Sequence, residues 1–277
     1  MTVINALTID VEDWYHVCGL AGGPPEVLPA DRRIAGNVDR LLALLDRYGV
    51  RATFFVLGSV AEEDPDLVPR VAAAGHEIAS HGYSHRPVTE LTPELFREEV
   101  RRTGDILAAQ CGEKPAGYRA PQWSLSLRTT PWAPAILREE GYSYDSSCNP
   151  LPFVGNSRGP RHPFAIETPS GPLLEFPPMV TPSPLGNLPT GGGWGLRFFP
   201  AAMSGRTVAG LNRSGFPAVI YLHPREMEAR GPRLRLSPLR TFAVYGPRRD
   251  AVTRLGYLLR HFRFGTMRQL VENWKPV

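Results

Sequence analysis

Leu7-Thr8-Ile9-Asp10-Val11-Glu12-Asp13-Trp14 closes an apolar run that begins at Val3, and its abrupt change from aliphatic to acidic residues decides how the chain is read. Residues 3–10 predict a buried strand ending in carboxylates. Beyond a Gly- and Pro-rich arm, Val38, Leu41, Leu42, Leu45 and Tyr48 fall at helical spacing, with Asn37 as N-cap and Gly49 just past the end. Residues 51–57 (RATFFVL) predict a second buried strand, and Asp64-Pro65 the cap and first position of a second helix running to Gly75. A third strand is expected at 76–80. Thr92-Pro93-Glu94 then opens a third helix with apolar positions at Leu95, Phe96, Val100 and Leu107. Further strands are expected at 117–119, 142–145, 173–176 and 218–222, and helices at 132–140, 200–211 and 250–262. Such alternation predicts a parallel α/β sheet, open or closed into a barrel.

Regularity fails between residues 149 and 200, where Pro and Gly crowd 181–189 and the run Gly191-Gly192-Gly193-Trp194-Gly195. This stretch reads as an irregular insertion, ordered over the catalytic face. Residues 1–277 are accordingly read as a single domain, with that insertion and a basic C-terminal extension over about 227–277. No internal repeat is apparent.

With 42% hydrophobic and 21% charged residues, the composition is that of a soluble globular protein, and no apolar run approaches the roughly 20 residues of a membrane span. The N-terminus lacks a basic leader region. Cys18, Cys111 and Cys148 are odd in number and widely spaced, which suits reduced thiols and a cytoplasmic location. The net charge of +4 hides an asymmetry, because residues 201–277 hold 14 Arg and Lys against 4 Asp and Glu. A basic third of this kind suits an anionic partner, such as a phosphate, a uronic acid or a membrane surface met peripherally; a solvated surface without a partner accounts for it equally well. No aromatic-interleaved basic motif accompanies it, so nucleic acid is not expected.

Parallel strands deliver the residues at their C-terminal ends to one mouth. Here those ends carry Asp10, Glu12 and Asp13, then His81 with His85 four residues on, Arg119, Asp145 and His223. His81 and His85 share a face if a helical turn links them, and two neutral imidazoles with one carboxylate leave a divalent ion open to water and substrate. Taken alone, the pair reads as readily as surface or capping groups, and Asp13 as a cap.

The strings LTIDVEDW, RATFFVLG, HEIASHGYSH, GYRAPQWS, GYSYDSS and YLHP together resemble the ordered motifs of NodB-type polysaccharide deacetylases, carbohydrate esterase family 4. DVEDW, GGGWG and YLHPREM are similar in finer detail to deacetylases of exopolysaccharide and PEP-CTERM loci. The likeness spans most of the chain, most strongly residues 4–147 and 216–226.

The resemblance implies a distorted, incomplete (β/α) barrel. It also implies catalytic roles: Asp10 as base, Arg119 orienting it, His223 as general acid and Asp145 steering that histidine. His81 and His85 are implied as metal ligands. Where many relatives carry two consecutive aspartates this chain has Val11 after Asp10, so the metal carboxylate falls to Glu12, two residues on, where strand alternation returns it to Asp10's face. The implied cofactor is a divalent metal, zinc first, with cobalt, nickel or manganese as alternatives. A backbone N–H near Gln122 or Trp123 is expected to hold the oxyanion. The implied reaction is removal of N-acetyl groups from an amino sugar in a polysaccharide or lipid-linked glycan, with release of acetate. Trp123 and Trp194 are candidate platforms for sugar faces, although core packing explains them equally well. Two competing readings are an allantoinase-like hydrolase of small cyclic amides and a catalytically silent carbohydrate-binding relative.

Overall fold

The computed structural model describes residues 3–17, 27–152, 154–247, 249 and 251–274. Cys18 and most of the Gly- and Pro-rich arm lie outside them. Eleven strands occur among the described residues: β1 Asn5–Val11, β2 Thr53–Val56, β3 Glu77–Ser80, β4 Gly117–Tyr118, β5 Tyr144–Asp145, β6 Phe164–Ile166, β7 Leu173–Glu175, β8 Thr181–Ser183, β9 Gly186–Leu188, β10 Val219–Leu222 and β11 Phe264–Gly265. Nine form one curled sheet in the order β10-β1-β2-β3-β4-β5-β7-β6, with β11 added to the start of β1. Every pairing is parallel except that of β6 with β7. The result is the expected incomplete barrel. Within the Pro- and Gly-rich stretch, β8 and β9 form a separate hairpin.

The alternation of β1 builds both sides of the wall. Leu7, Ile9 and Val11 enter the outer core, where Val38, Leu41 and Leu45 of the helix Ile34–Tyr48 and Leu255 and Leu258 of the helix Ala251–His261 pack. Ala6 faces inward with Phe55, Tyr144 and Phe176, and Thr8 and Asp10 share that parity. The outer core therefore consumes the aliphatic residues of β1, leaving its polar ones for the mouth.

Several local expectations are corrected. The first helix begins at Ile34, and Asn37 is a buried helical residue. The cap comes from far away: Asp13 Oδ2 accepts from the backbone N–H groups of Arg33 and Ile34 at 2.8 and 3.1 Å. Asp64-Pro65 joins two helices, Gly58–Glu63 and Leu67–Ala73, with the second starting two residues later than expected. Thr92 caps the helix Pro93–Cys111, accepting from Leu95 N–H, but Leu95 itself faces solvent.

The C-terminal residues do more than extend the domain. The helix Met267–Asn273, opened by a Thr266/Gln269 capping box, stands at the end of the barrel opposite the mouth. Its first turn is tied to Thr53 and Glu77 at the beginnings of β2 and β3: Met267 N–H donates to Thr53 Oγ1 at 2.7 Å and Arg268 N–H to Glu77 Oε2 at 2.9 Å. Glu77 also accepts from Thr53 Oγ1 and Tyr144 Oη. A carboxylate at a helix N-terminus is favoured by the free N–H groups and the dipole there. Glu77→Ala strands these donors in a buried floor, and we expect about 3 kcal/mol of destabilisation. A denaturation midpoint equal to the parent's would show that the floor does not depend on it.

Candidate active site

Parallel register brings the polar strand ends together. Asp10 pairs with Phe55 across β1 and β2, and Ser80 with Tyr118 across β3 and β4, so His81 and Arg119 leave adjacent strand ends side by side. Arg119 is fully buried. Its Nη1 donates to Asp10 Oδ1 at 2.6 Å and Thr8 Oγ1 at 2.8 Å, while Nε and Nη2 reach the carbonyl and hydroxyl of Ser146. The guanidinium also lies 4.2 Å from the ring centre of Phe55 and 4.8 Å from that of Trp123. Asp10 is thus held by one oxygen. The other, Oδ2, lies 4.0 Å from His223 Nε2.

Glu12 gathers the histidines. Its Oε1 lies 3.3 Å from His81 Nε2, 3.0 Å from His85 Nε2 and 3.8 Å from His223 Nε2, and Arg225 Nη1 meets Oε2 at 3.2 Å. A tight turn from Asp10 carbonyl to Glu12 N–H returns the carboxylate to Asp10's face. Burial would raise the Glu12 pKa, but His85, His223 and the bonds from His81 and His85 hold it well below the usual range. His81 Nδ1 lies 2.8 Å from the carbonyl of Arg119. A carbonyl only accepts, so Nδ1 carries the hydrogen there and a neutral His81 presents a lone pair at Nε2 toward the carboxylate. A carboxylate oxygen and a ring nitrogen 3.3 Å apart accommodate a cation between them, a proton or a metal ion. Glu12, His81 and His85 offer ligand atoms within 4.8 Å of one another, and this set of two imidazoles and a carboxylate fits a divalent ion.

Asp145 does not sit beside His223. It is buried against Glu175 of β7 and accepts from Ser147 Oγ at 2.5 Å, while Ser147 Oγ in turn receives Ala120 N–H. The acid at His223 is Glu226, 3.5 Å from Nδ1. Pro224 starts a short 3-10 turn, and the i, i+3 spacing of His-Pro-Arg-Glu brings the carboxylate back to the ring. Burial pushes Glu226 up, but His223, Arg197 and Arg225 hold it below the ordinary range. That spacing is the sequence signal that would have found it. His16 also lines the cleft unforeseen; burial and His85 hold it neutral, its pKa lowered to about 3, and its Nδ1 accepts Asp13 N–H.

The backbone is strained where it meets the cleft. His85, Gln122 and Trp123 have φ of 59°, 54° and 57°, a region that residues with a side chain rarely occupy. Trp123 N–H is bonded to Ala120 carbonyl, whereas Gln122 N–H meets no protein acceptor among the described residues. Of the two expected oxyanion donors, Gln122 therefore remains. The glycine run closes the opposite wall: Tyr221 N–H donates to Gly191 carbonyl, and a side chain on Gly192 would collide with the Tyr221 backbone. Trp123 stands edge-on to Tyr221 at 4.8 Å. Trp194 is stacked on Phe198 at 4.7 Å and donates its indole N–H to Phe242 carbonyl, so one ring face is already covered.

Asp10, Glu12, His81, His85, Gln122 and His223 are among the residues lining a cleft of about 290 Å³ bounded also by Val154, Ala243 and Val244. Gln122, Trp123 and Val154 continue into a second cavity of about 970 Å³ running toward Thr89, Leu127 and Phe164.

Residues 26–141 match the polysaccharide deacetylase family, and residues 146–272 match a domain of unknown function, DUF3473. The chain is 31% identical over 148 residues to a peptidoglycan deacetylase of Helicobacter pylori, a match covering 52% of this chain and 49% of that protein. It spans about half the length of that relative. Among solved structures it is similar to a probable polysaccharide deacetylase from Pseudomonas aeruginosa PAO1, with TM-score 0.63, 20% identity and coverage of 98% of this chain and 90% of that one. It is also similar to Puue allantoinase, with TM-score 0.60, 20% identity and coverage of 95% and 86%. At such identities the likeness concerns the fold.

The Asp145–Glu175 pair yields a test away from the cleft. Burial pushes Asp145 up to about 6 and Glu175 well above its usual range, and Asp145 Oδ2 and Glu175 Oε2 have no other partner. Both carboxyls bind protons more tightly folded than unfolded. The stabilisation from Asp145 is full below the ordinary carboxylate range near pH 4 and is lost as pH rises through about 6, and that from Glu175 is lost at higher pH. Asp145→Asn should flatten this fall in melting temperature between about pH 4 and 7. Parallel curves for parent and variant would rule the pair out as its source.

Proposed function

We propose that this chain, whose residues 26–141 match the polysaccharide deacetylase family, hydrolyses N-acetyl groups of an amino-sugar polymer to acetate and the free amine. The observation that carries the reading is the convergence in one cleft of the Glu12/His81/His85 set, the Arg119-held Asp10 and the Glu226-held His223.

A divalent ion held by Glu12, His81 and His85 would polarise the acetamide carbonyl and bring the pKa of a bound water toward about 7. Asp10 Oδ2 takes the proton from the attacking water, because Oδ1 is occupied by Arg119. Gln122 N–H donates to the oxygen on which charge develops. His223 Nε2, facing Asp10 across the cleft, delivers a proton to the departing nitrogen, which would otherwise leave as an amide anion. Glu226 receives Nδ1 and fixes the ring with Nε2 toward the cleft. Amide and water then give acetate, the free amine and one proton: Asp10 takes one proton from the water, His223 gives one to the nitrogen, and the carboxyl product releases its own.

The adjoining cavity favours a polymer over a small cyclic amide, since the site continues past Trp123 into room for further residues. The Arg-rich C-terminal third favours an anionic acceptor, for example a uronate-containing or diphosphate-lipid-linked glycan. Full retention of base, ligand set, arginine and acid counts against a silent binding protein.

Acetate release from N-acetylated chitooligosaccharides, with and without chelator, tests the reading; turnover of cyclic amides alone would replace it. His81→Ala and His85→Ala should each lose bound metal by elemental analysis and more than about 100-fold in turnover, with the fold retained. Full metal content in both would remove these histidines from the site. Asp10→Asn should keep the metal and lose about 100-fold or more in kcat, and near-parental turnover would move the base elsewhere. Glu226→Gln should lower kcat about tenfold at unchanged KM, whereas an unchanged kcat would deny it the orienting role.

A further inference from the structure

The helix Pro238–Tyr245 is built inside out. Leu239 is 81% exposed and Phe242 42%, and Pro238 and Ala243 also face solvent, while the polar Tyr245 is the residue it buries. Tyr245 pins the helix inward, donating to Trp14 carbonyl and accepting Leu234 N–H. The apolar face does not stop at the helix. Phe242 lies 6.0 Å from Phe198, itself 41% exposed, and both pack on Trp194. Trp194 in turn lines the catalytic cleft, together with Ala243 and Val244. An exposed apolar strip thus runs to the rim of the site.

Along the chain, the segment that carries this helix has charge of one sign. From Ala229 to Pro247 the chain carries Arg230, Arg233, Arg235 and Arg240 and no acid, and the side chains of Arg230 and Arg235 are exposed. Contiguous apolar surface in water signals a partner, and the arginines restrict its chemistry. A second copy meeting this surface about a two-fold axis would set arginines against arginines. An anionic bilayer matches both halves, accepting Leu239, Phe242 and Phe198 at the acyl boundary while its phosphates meet the arginines. No helix among the described residues is long and apolar enough to cross a membrane, so such contact is peripheral.

We infer that the Pro238–Tyr245 helix, with Phe198 and the arginines before it, docks on an anionic lipid surface and sets the mouth of the cleft at headgroup level. The docking is read without turnover, so its failure is separate from any failure of the deacetylase reading. The intact protein is sedimented with vesicles of phosphatidylcholine alone and of phosphatidylcholine with phosphatidylglycerol, at about 0.1 M salt and above. We expect binding to the anionic vesicles only, weakening with salt. Leu239→Glu should reduce it about tenfold and Arg235→Glu about fivefold, with circular dichroism, metal content and hydrolysis of soluble oligosaccharides unchanged. Equal binding to neutral vesicles, no binding to either, or indifference to both substitutions would overturn the inference. So would a concentration-dependent dimer that Leu239→Glu dissolves, which would assign the strip to a second copy.

Discussion

A guanidinium buried at the centre of an incomplete barrel is the constraint on which the rest of the site depends. A charge removed from water costs several kcal/mol unless its donors are met and its charge is countered. Arg119 satisfies that demand with the Asp10 carboxylate, the Thr8 hydroxyl and two oxygens of Ser146, and with the rings of Phe55 and Trp123 on its faces. These partners come from β1, β2, the turn after β4 and the end of β5. Meeting the needs of one side chain therefore fixes the relative positions of four strand ends. The same bonds occupy one oxygen of Asp10 and direct the other to the cleft, so a requirement of burial sets the geometry of the base.

That dependence explains what could be read in the sequence. The alternation Leu7-Thr8-Ile9-Asp10 encodes both sides of the wall, and parallel strands with polar ends predict a common mouth; the incomplete barrel, the candidate metal set and the Asp10–Arg119 pair are readable only through the resemblance carried by the ordered motifs. Other contacts between distant segments are not. Asn37 resembles an N-cap, yet the helix starts at Ile34; a capping role for Asp13 is readable, but not that it reaches a helix some twenty residues later. Asp145 stands at a strand end as the pattern requires, but its neighbour β7 brings Glu175 beside it, so that two buried carboxyls share one environment. The spacing Leu239, Phe242, Ala243 is that of an ordinary amphipathic helix. Periodicity reports that a face is apolar, not which way it points.

Among the described residues, the non-glycine residues with positive φ all border the cleft. Gln122 and Trp123 occupy left-handed backbone conformations immediately after the Arg119 strand end, and His85 does so across the cleft. Pro121, at the head of the turn, and the bond from Trp123 N–H to Ala120 carbonyl hold it closed. A relaxed turn would point Gln122 N–H elsewhere. The distortion is thus coupled to the anchored arginine, and the bonds of Arg119 offset its cost.

The chemistry is divided between the two halves of the sequence in a way that neither half can supply alone. On the proposed reading, residues up to Arg119 provide the base, the metal set and the charge that orders them. His223, Glu226 and Arg225 come from the later segment, which matches a domain of unknown function, and so do the Gly191–Gly193 wall and the apolar rim. β10 carries His223 and pairs directly with β1, which carries Asp10, so these two strands face each other across the junction of the halves. On the proposed reading, proton removal from water and proton delivery to nitrogen are performed from opposite ends of the chain across a single strand pair. The later segment then does more than close the sheet. On that reading it would also supply the proton donor and the approach to the cleft, placing substrate selection in the half of the sequence that the deacetylase family does not match.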